Sequence, residues 1–161
     1  MLSVRIVGTD RVAERFRSMP ESVRTALLRK VTSLTLLLEA HVKNDKLSGQ
    51  VLNTVSGRLK RSIQGEVRDD GYRITGSVFS SGDVPYASIH EFGGRTSPHD
   101  IFPVKAQALS FMMGGKRVFA KYVRHPGSLM PERSYLRSAL SDMKTQIAEE
   151  MTDAVRKAVK R

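Results

Sequence analysis

The chain of 161 residues contains no cysteine and no tryptophan. Without thiols there are no disulfides, no cysteine-ligated zinc, no iron–sulfur cluster and no thiol nucleophile, a composition that suits folding in a reducing cytoplasm. Long apolar runs are also missing. The longest aliphatic run, Leu36 to Leu38, is far from the roughly 20 residues a spanning helix needs, and the first twenty residues hold no apolar segment of the signal-peptide kind. The expectation is a soluble chain with no membrane partner. Acids are scarce too, with 16 Asp plus Glu against 27 Lys plus Arg, a net charge of +11. Such an excess favours polyanionic and acidic partners but says nothing of fold. Aromatic residues are only 6% of the chain, which leaves few candidates for a base-stacking platform.

The length fits one domain over residues 1–161, large enough to bury a core without covalent staples. Leu2, Val4 and Ile6 alternate with polar residues as in a short strand, and a helical turn is expected over 10–17. Ser18 and Glu21 are spaced as a capping box with Pro20 in the first turn. A long helix should follow, because Val23, Leu27, Val31, Leu34 and Leu38 recur at helical steps; its end is expected within 44–49. Residues 48–57 are polar and contain two glycines, which predicts a loop that orders only on assembly. A helical turn over 58–62 then leads into a hairpin turning at Asp69-Asp70-Gly71. Residues 95–100 are expected to be loop.

A second hairpin is predicted around Met113-Gly114-Gly115-Lys116, where paired glycines supply the positive φ of a tight turn. Valine at Gly115 should then cost about 1–3 kcal/mol. Alternation predicts that Phe111, with Phe119 or Tyr122, faces the helices and packs there. From Pro131 a last helix should run to the C-terminus, burying Leu136, Leu140, Met143, Ile147, Met151, Ala154 and Ala158. The order predicts an α+β fold: an antiparallel sheet of two hairpins packed against a long N-terminal helix and a C-terminal helix.

Catalytic constellations are not found. His90-Glu91 begins a zinc-protease pattern, but Gly94 stands where the second histidine is required, and adjacent residues point in different directions. Gly114-Gly115-Lys116-Arg117 lacks the first glycine of a phosphate loop, Ser110 being in its place, and lacks the hydroxyl residue after the lysine. There is no Gly-x-Ser-x-Gly elbow. The expectation is no catalytic residue, no metal, no cofactor and no small-molecule substrate.

One combination is specific. Ser56-Gly57-Arg58-Leu59-Lys60-Arg61-Ser62-Ile63 precedes the first hairpin, Pro85-Tyr86-Ala87-Ser88-Ile89-His90-Glu91-Phe92-Gly93-Gly94 follows it, and His125-Pro126-Gly127 leads to Pro131 and Arg133-Ser134-Tyr135-Leu136-Arg137-Ser138-Ala139-Leu140. Together these resemble the neck, or tail-component, family of long-tailed bacteriophages, which is similar to the minor tail and tail-completion proteins. The resemblance covers most of the chain. It implies a non-enzymatic α+β virion subunit, assembled in the host cytoplasm, that forms a ring at the head–tail junction. Its implied partners are further copies of itself, portal-side head-completion proteins, and tail terminator or tail tube proteins, with genome DNA passing through the ring. A tail terminator is the alternative within that class, and a basic nucleic-acid-binding protein the alternative outside it.

A ring requires each subunit to present two different complementary faces. The sequence offers residues 48–57 with Arg58, Lys60 and Arg61 for one, and residues 86–94 for the other. On that reading Asp83 and Glu91 meet the basic cluster of the next subunit, and Tyr86 or Phe92 is the buried anchor.

Overall fold

A computed structural model of the chain describes residues 2–6, 20–82 and 84–159, with backbone alone for 2–6. The helical turn expected over 10–17, Ser18 of the expected capping box, Asp83 and the last two residues lie outside the described residues.

The order of elements is β1 (Leu2–Ile6), α1 (Glu21–His41), α2 (Arg58–Ser62), β2 (Ile63–Asp69), β3 (Ile74–Ser80), α3 (Ala87–Phe92), six short strands β4 to β9, and α4 (Leu136–Val159). The class is α+β, with the long helix, the antiparallel strand pairs and the C-terminal helix that the periodicity predicts. All five residues of the α1 stripe are buried. Pro20 stands just before the first turn of α1, and no side chain among the described residues caps the helix; the Pro20 carbonyl accepts from the backbone N–H of Val23 and Arg24. Beyond His41 the helix widens: Val51 N–H reaches the Lys46 carbonyl five residues back at 3.1 Å. Helical geometry is lost at Ser48 and Gly49, inside the range expected for the helix end.

Strand β3 is central in a three-stranded antiparallel sheet of order β1-β3-β2. Its register pairs Val78 with Val4 on one side and with Gly65 on the other. One face of this sheet packs on α1, and α4 crosses α1. Two adjoining clusters result, one around Leu34, Leu38, Val42, Ile63, Val78, Tyr135 and Leu136 and a smaller one of Val23, Leu27, Val31 and Ile74. Each fully buried Leu here contributes about 1.5–3 kcal/mol relative to exposure. Of the predicted α4 stripe, Leu136, Met143 and Ile147 are buried, while Leu140, Met151, Ala154 and Ala158 are half-buried.

Polar clamps tie the helices to each other and to the sheet. Arg24 holds the β2–β3 turn through Asp69 and donates to the Gly71 carbonyl at 3.0 Å. His41 and the buried Lys46 both reach Asp142 of α4, at 3.1 and 2.5 Å.

Downstream of α3 the architecture changes. Strands β4 (Gly94–Arg95) and β9 (Leu129–Met130), β5 (His99–Ile101) and β8 (Val123–His125), and β6 (Leu109–Met113) and β7 (Lys116–Ala120) form three separate two-stranded ribbons. The Gly114-Gly115 hairpin is where it was expected, with φ of 57° and 77° at the two glycines. The hairpin does not join the first in one sheet. The expected loop over 95–100 ends in strand β5, which pairs His99 with His125. Among the described residues no helix is long and apolar enough to cross a membrane.

Candidate functional site

Two of the segments singled out in the sequence, 85–94 and 131–140, meet in space. Helix α3 ends against the N-terminus of α4, and Glu91 joins them. Its carboxylate is only 1% exposed and accepts five hydrogen bonds. Oε2 takes the backbone N–H of Tyr135 and Leu136 at 2.7 and 2.8 Å. Oε1 takes the Ser134 hydroxyl, the Arg137 backbone N–H and the Arg137 Nε–H at 2.7, 3.0 and 3.1 Å. The first N–H groups of a helix have no partner within the helix, and the positive end of its dipole favours an anion. Glu91 supplies both from 44 residues upstream. The residues from Pro131 therefore remain extended, and α4 begins at Leu136, five residues later than the proline suggests. Tyr135 is buried behind this cap and donates its hydroxyl to the Ala87 carbonyl at 3.3 Å; burial, reinforced by the Glu91 charge, raises its phenol pKa well above the ordinary value.

This overturns one expectation. Glu91 is not a surface acid that meets a neighbouring subunit, because both of its oxygens are consumed inside the chain. Gly93 next to it has φ of 69° and lies so near Glu132 that a Cβ would stand 2.8 Å from the Glu132 backbone nitrogen. Only glycine fits there.

His90, one residue back, points elsewhere. With Tyr86, Arg58, Lys60 and Arg133 it lines a cavity of about 510 Å³ whose apolar wall is Leu47, Leu52, Val55 and Leu59. Three cations line it and, among the described residues, no acid does. Tyr86 and His90 meet edge to face at 5.9 Å between ring centroids, and the His90 carbonyl accepts the Arg133 backbone N–H at 2.8 Å, which fixes Arg133 at the rim. Nδ1 of His90 is shut off from solvent with no hydrogen-bond partner among the described residues. Burial, with the nearby Arg133 guanidinium, lowers the His90 pKa, so the ring is neutral at pH 7.

The other wall is well anchored. The Thr54 hydroxyl donates to the Leu47 carbonyl at 2.5 Å, Leu52 is buried in the core and its N–H reaches the Lys46 carbonyl, and Lys60 donates to the Ser48 hydroxyl at 2.9 Å. The loop at 48–57 is thus tied to the body of the subunit through Leu52 and Thr54. Ser62 and Ser80 share a buried hydrogen bond at 2.8 Å that seats α2 on β3.

The expected site residues therefore fall out as follows. Arg58, Lys60 and Tyr86 belong to one cavity, so the two complementary faces inferred from sequence are a single face. The cause is that β2 and β3 bring α2 and α3 to the same end of the sheet. Arg61 lies outside the cavity, its guanidinium folded back over Gly57. Phe92 is half-exposed, with the Arg137 guanidinium 4.7 Å from its ring centroid. Sequence reasoning missed His90 and Arg133 as lining residues; the proximity of Arg133 depends on the Glu91 cap, for which no local pattern exists.

A second feature lies beside the cavity. No residue in 93–134 is buried, and none belongs to either core cluster. This stretch carries seven Lys or Arg against Asp100 and Glu132. It also exposes large apolar side chains, among them Met112, Met113, Phe119 at 67% and Leu129 at 82%. The expected packing of Phe111, with Phe119 or Tyr122, on the helices does not occur: Phe119 and Tyr122 are exposed, and none of the three belongs to either core cluster. Phe102 and Tyr122 stack on each other at 6.0 Å and His99 on His125 at 5.1 Å. Among the described residues no three His, Asp or Glu side chains are grouped to hold a metal ion. No family model, curated protein or solved structure matches the chain.

Proposed function

We propose that this chain is a structural subunit of a long-tailed bacteriophage that assembles as a ring at the head–tail junction and joins or completes the tail. Its chemistry is association rather than catalysis. The observation that carries the reading is the bare stretch 93–134. About a quarter of the chain has no buried residue and exposes Met112, Met113, Phe119 and Leu129, and large exposed apolar area marks interaction sites. Copies arranged in a ring would cover it, and the sequence resemblance to the neck and tail-component family supplies the setting. In that setting the partners are neighbouring copies, portal-side head-completion proteins, and tail terminator or tail tube proteins, with DNA passing through the ring. Antibody against the purified protein, applied to virions of the phage that encodes it and viewed with gold label, tests this. Label at the head–tail junction is expected; virions free of the protein would overturn the reading.

One observation favours a second reading. The stacked Phe102–Tyr122 pair lies beside Lys121 and Arg124, and exposed rings among cations are what single-stranded nucleic acid stacks on. A basic nucleic-acid-binding protein of this kind would bind random oligonucleotide with affinity falling steeply as salt rises. Structural assembly does not require that behaviour.

A further inference from the structure

The basic cavity has the features of a receptor. Lys60 and Arg133 bring positive charge to a pocket that no acid among the described residues lines, whereas Arg24, Lys30, Lys43 and Lys46 each have a carboxylate partner. His90 adds a ring to the lining, with its Nδ1 shut off from solvent. The Leu47, Leu52 and Leu59 wall would take an apolar side chain. Charge and shape together specify a ligand with a carboxylate next to an aliphatic or aromatic group.

We infer that this cavity is the docking site for an acidic, apolar-containing segment of a different protein, with a carboxylate held by Lys60 and Arg133 and a neighbouring apolar side chain on the leucine wall. The pocket's charge selects an acidic segment, for which an acidic partner protein is the complementary source. Nucleic acid is a poor occupant, since the cavity offers its phosphate-binding groups inside a pocket with an apolar wall and not along an open groove. The inference rests on the ring reading in one respect, that the partner is taken to be another protein of the same assembly.

The test uses the full chain and a fluorescent peptide alternating Asp or Glu with Leu or Phe. Its controls are the same peptide with Asn and Gln in place of the acids, and a single-stranded oligonucleotide of equal formal charge. The acidic peptide should bind, move the His90 Nδ1 resonance, and lose at least tenfold in affinity with Lys60→Gln or with Arg133→Gln. The variant Lys116→Gln with Arg117→Gln, which removes two charges at the β6–β7 turn, should lose less than twofold. Two single variants on different elements guard against one of them failing to fold, which circular dichroism reports. Equal binding of the amide peptide, no binding, equal loss in the β6–β7 variant, or a His90 shift produced more strongly by the oligonucleotide would each overturn the assignment. Negative-stain images of the same wild-type sample separate the two readings. Rings without peptide binding overturn the docking site alone, whereas peptide binding without rings supports the site and removes the ring.

Discussion

Glu91 has no role that a surface acid could perform. Its two oxygens satisfy three backbone N–H groups, a hydroxyl and a guanidinium, so Glu91→Ala would leave buried donors unpaired at the head of α4. The expected loss is about 3–5 kcal/mol, the range for removing one partner of a buried ionic network. Urea unfolding measures it, and a loss under about 1 kcal/mol would contradict the cap. Reversal to lysine would add a cation at the positive end of a helix dipole, making it a folding variant and not a test of assembly. The sequence could not show this, because a capping box is read three residues apart whereas this carboxylate and its helix are joined only by the tertiary fold. Asp142 behaves more simply. Hydrogen bonds from Lys46 and His41 hold its carboxyl below the ordinary range. A folded pKa below the unfolded value means stabilisation above the usual carboxylate pKa, lost as pH falls through the folded one. Asp142→Asn should therefore be less stable than wild type at pH 7, where it leaves the buried Lys46 unpaired, with the gap closing below about pH 4. Urea midpoints at neutral and acid pH check the sign.

At the level of elements, the core and the ribbons should respond to substitution in opposite ways. Leu38 is almost wholly buried in the larger cluster, and Leu38→Ala should cost about 2–5 kcal/mol and lower the global melting temperature. Valine at Gly115, where φ is 77°, is strained by about 1–3 kcal/mol, yet the hairpin contributes nothing to either cluster. The strain should be felt locally. Hydrogen exchange should quicken across β6 and β7 while the global melt stays near that of wild type; a fall in the melt as large as that of Leu38→Ala would mean that the hairpin packs on the core. The α1 stripe and the Gly114-Gly115 turn were both legible because a single local pattern determines each. Where the second hairpin would lie was not. Alternation at Phe111 and Phe119 distinguishes two faces of a strand, but not whether either face has anything to pack against.

For the molecule as a whole, the division between a packed body and a bare extension is the central feature. Trypsin should cut first at Lys116, Arg117 or Lys121, which lie on exposed ribbon, and only later at Arg58 or Lys60 beside the anchored loop. Mass spectrometry of the first fragments decides this, and an initial cut within 48–61 would restore the mobile loop that composition suggests. The excess charge of +11 was visible in the sequence. That Lys60 and Arg133 share one cavity was not, because the two residues are brought together by the sheet end and the Glu91 cap. The most direct test of the account is a cryo-electron microscopy reconstruction of the purified protein at assembling concentration. A closed ring is expected in which the β6–β7 ribbon and β9 of each copy are covered by its neighbours, with Met112, Phe119 and Leu129 out of water and Arg133 left at an open cavity. A protein that remains a monomer at the highest attainable concentration, or a ring whose ribbons stay bare, would contradict it.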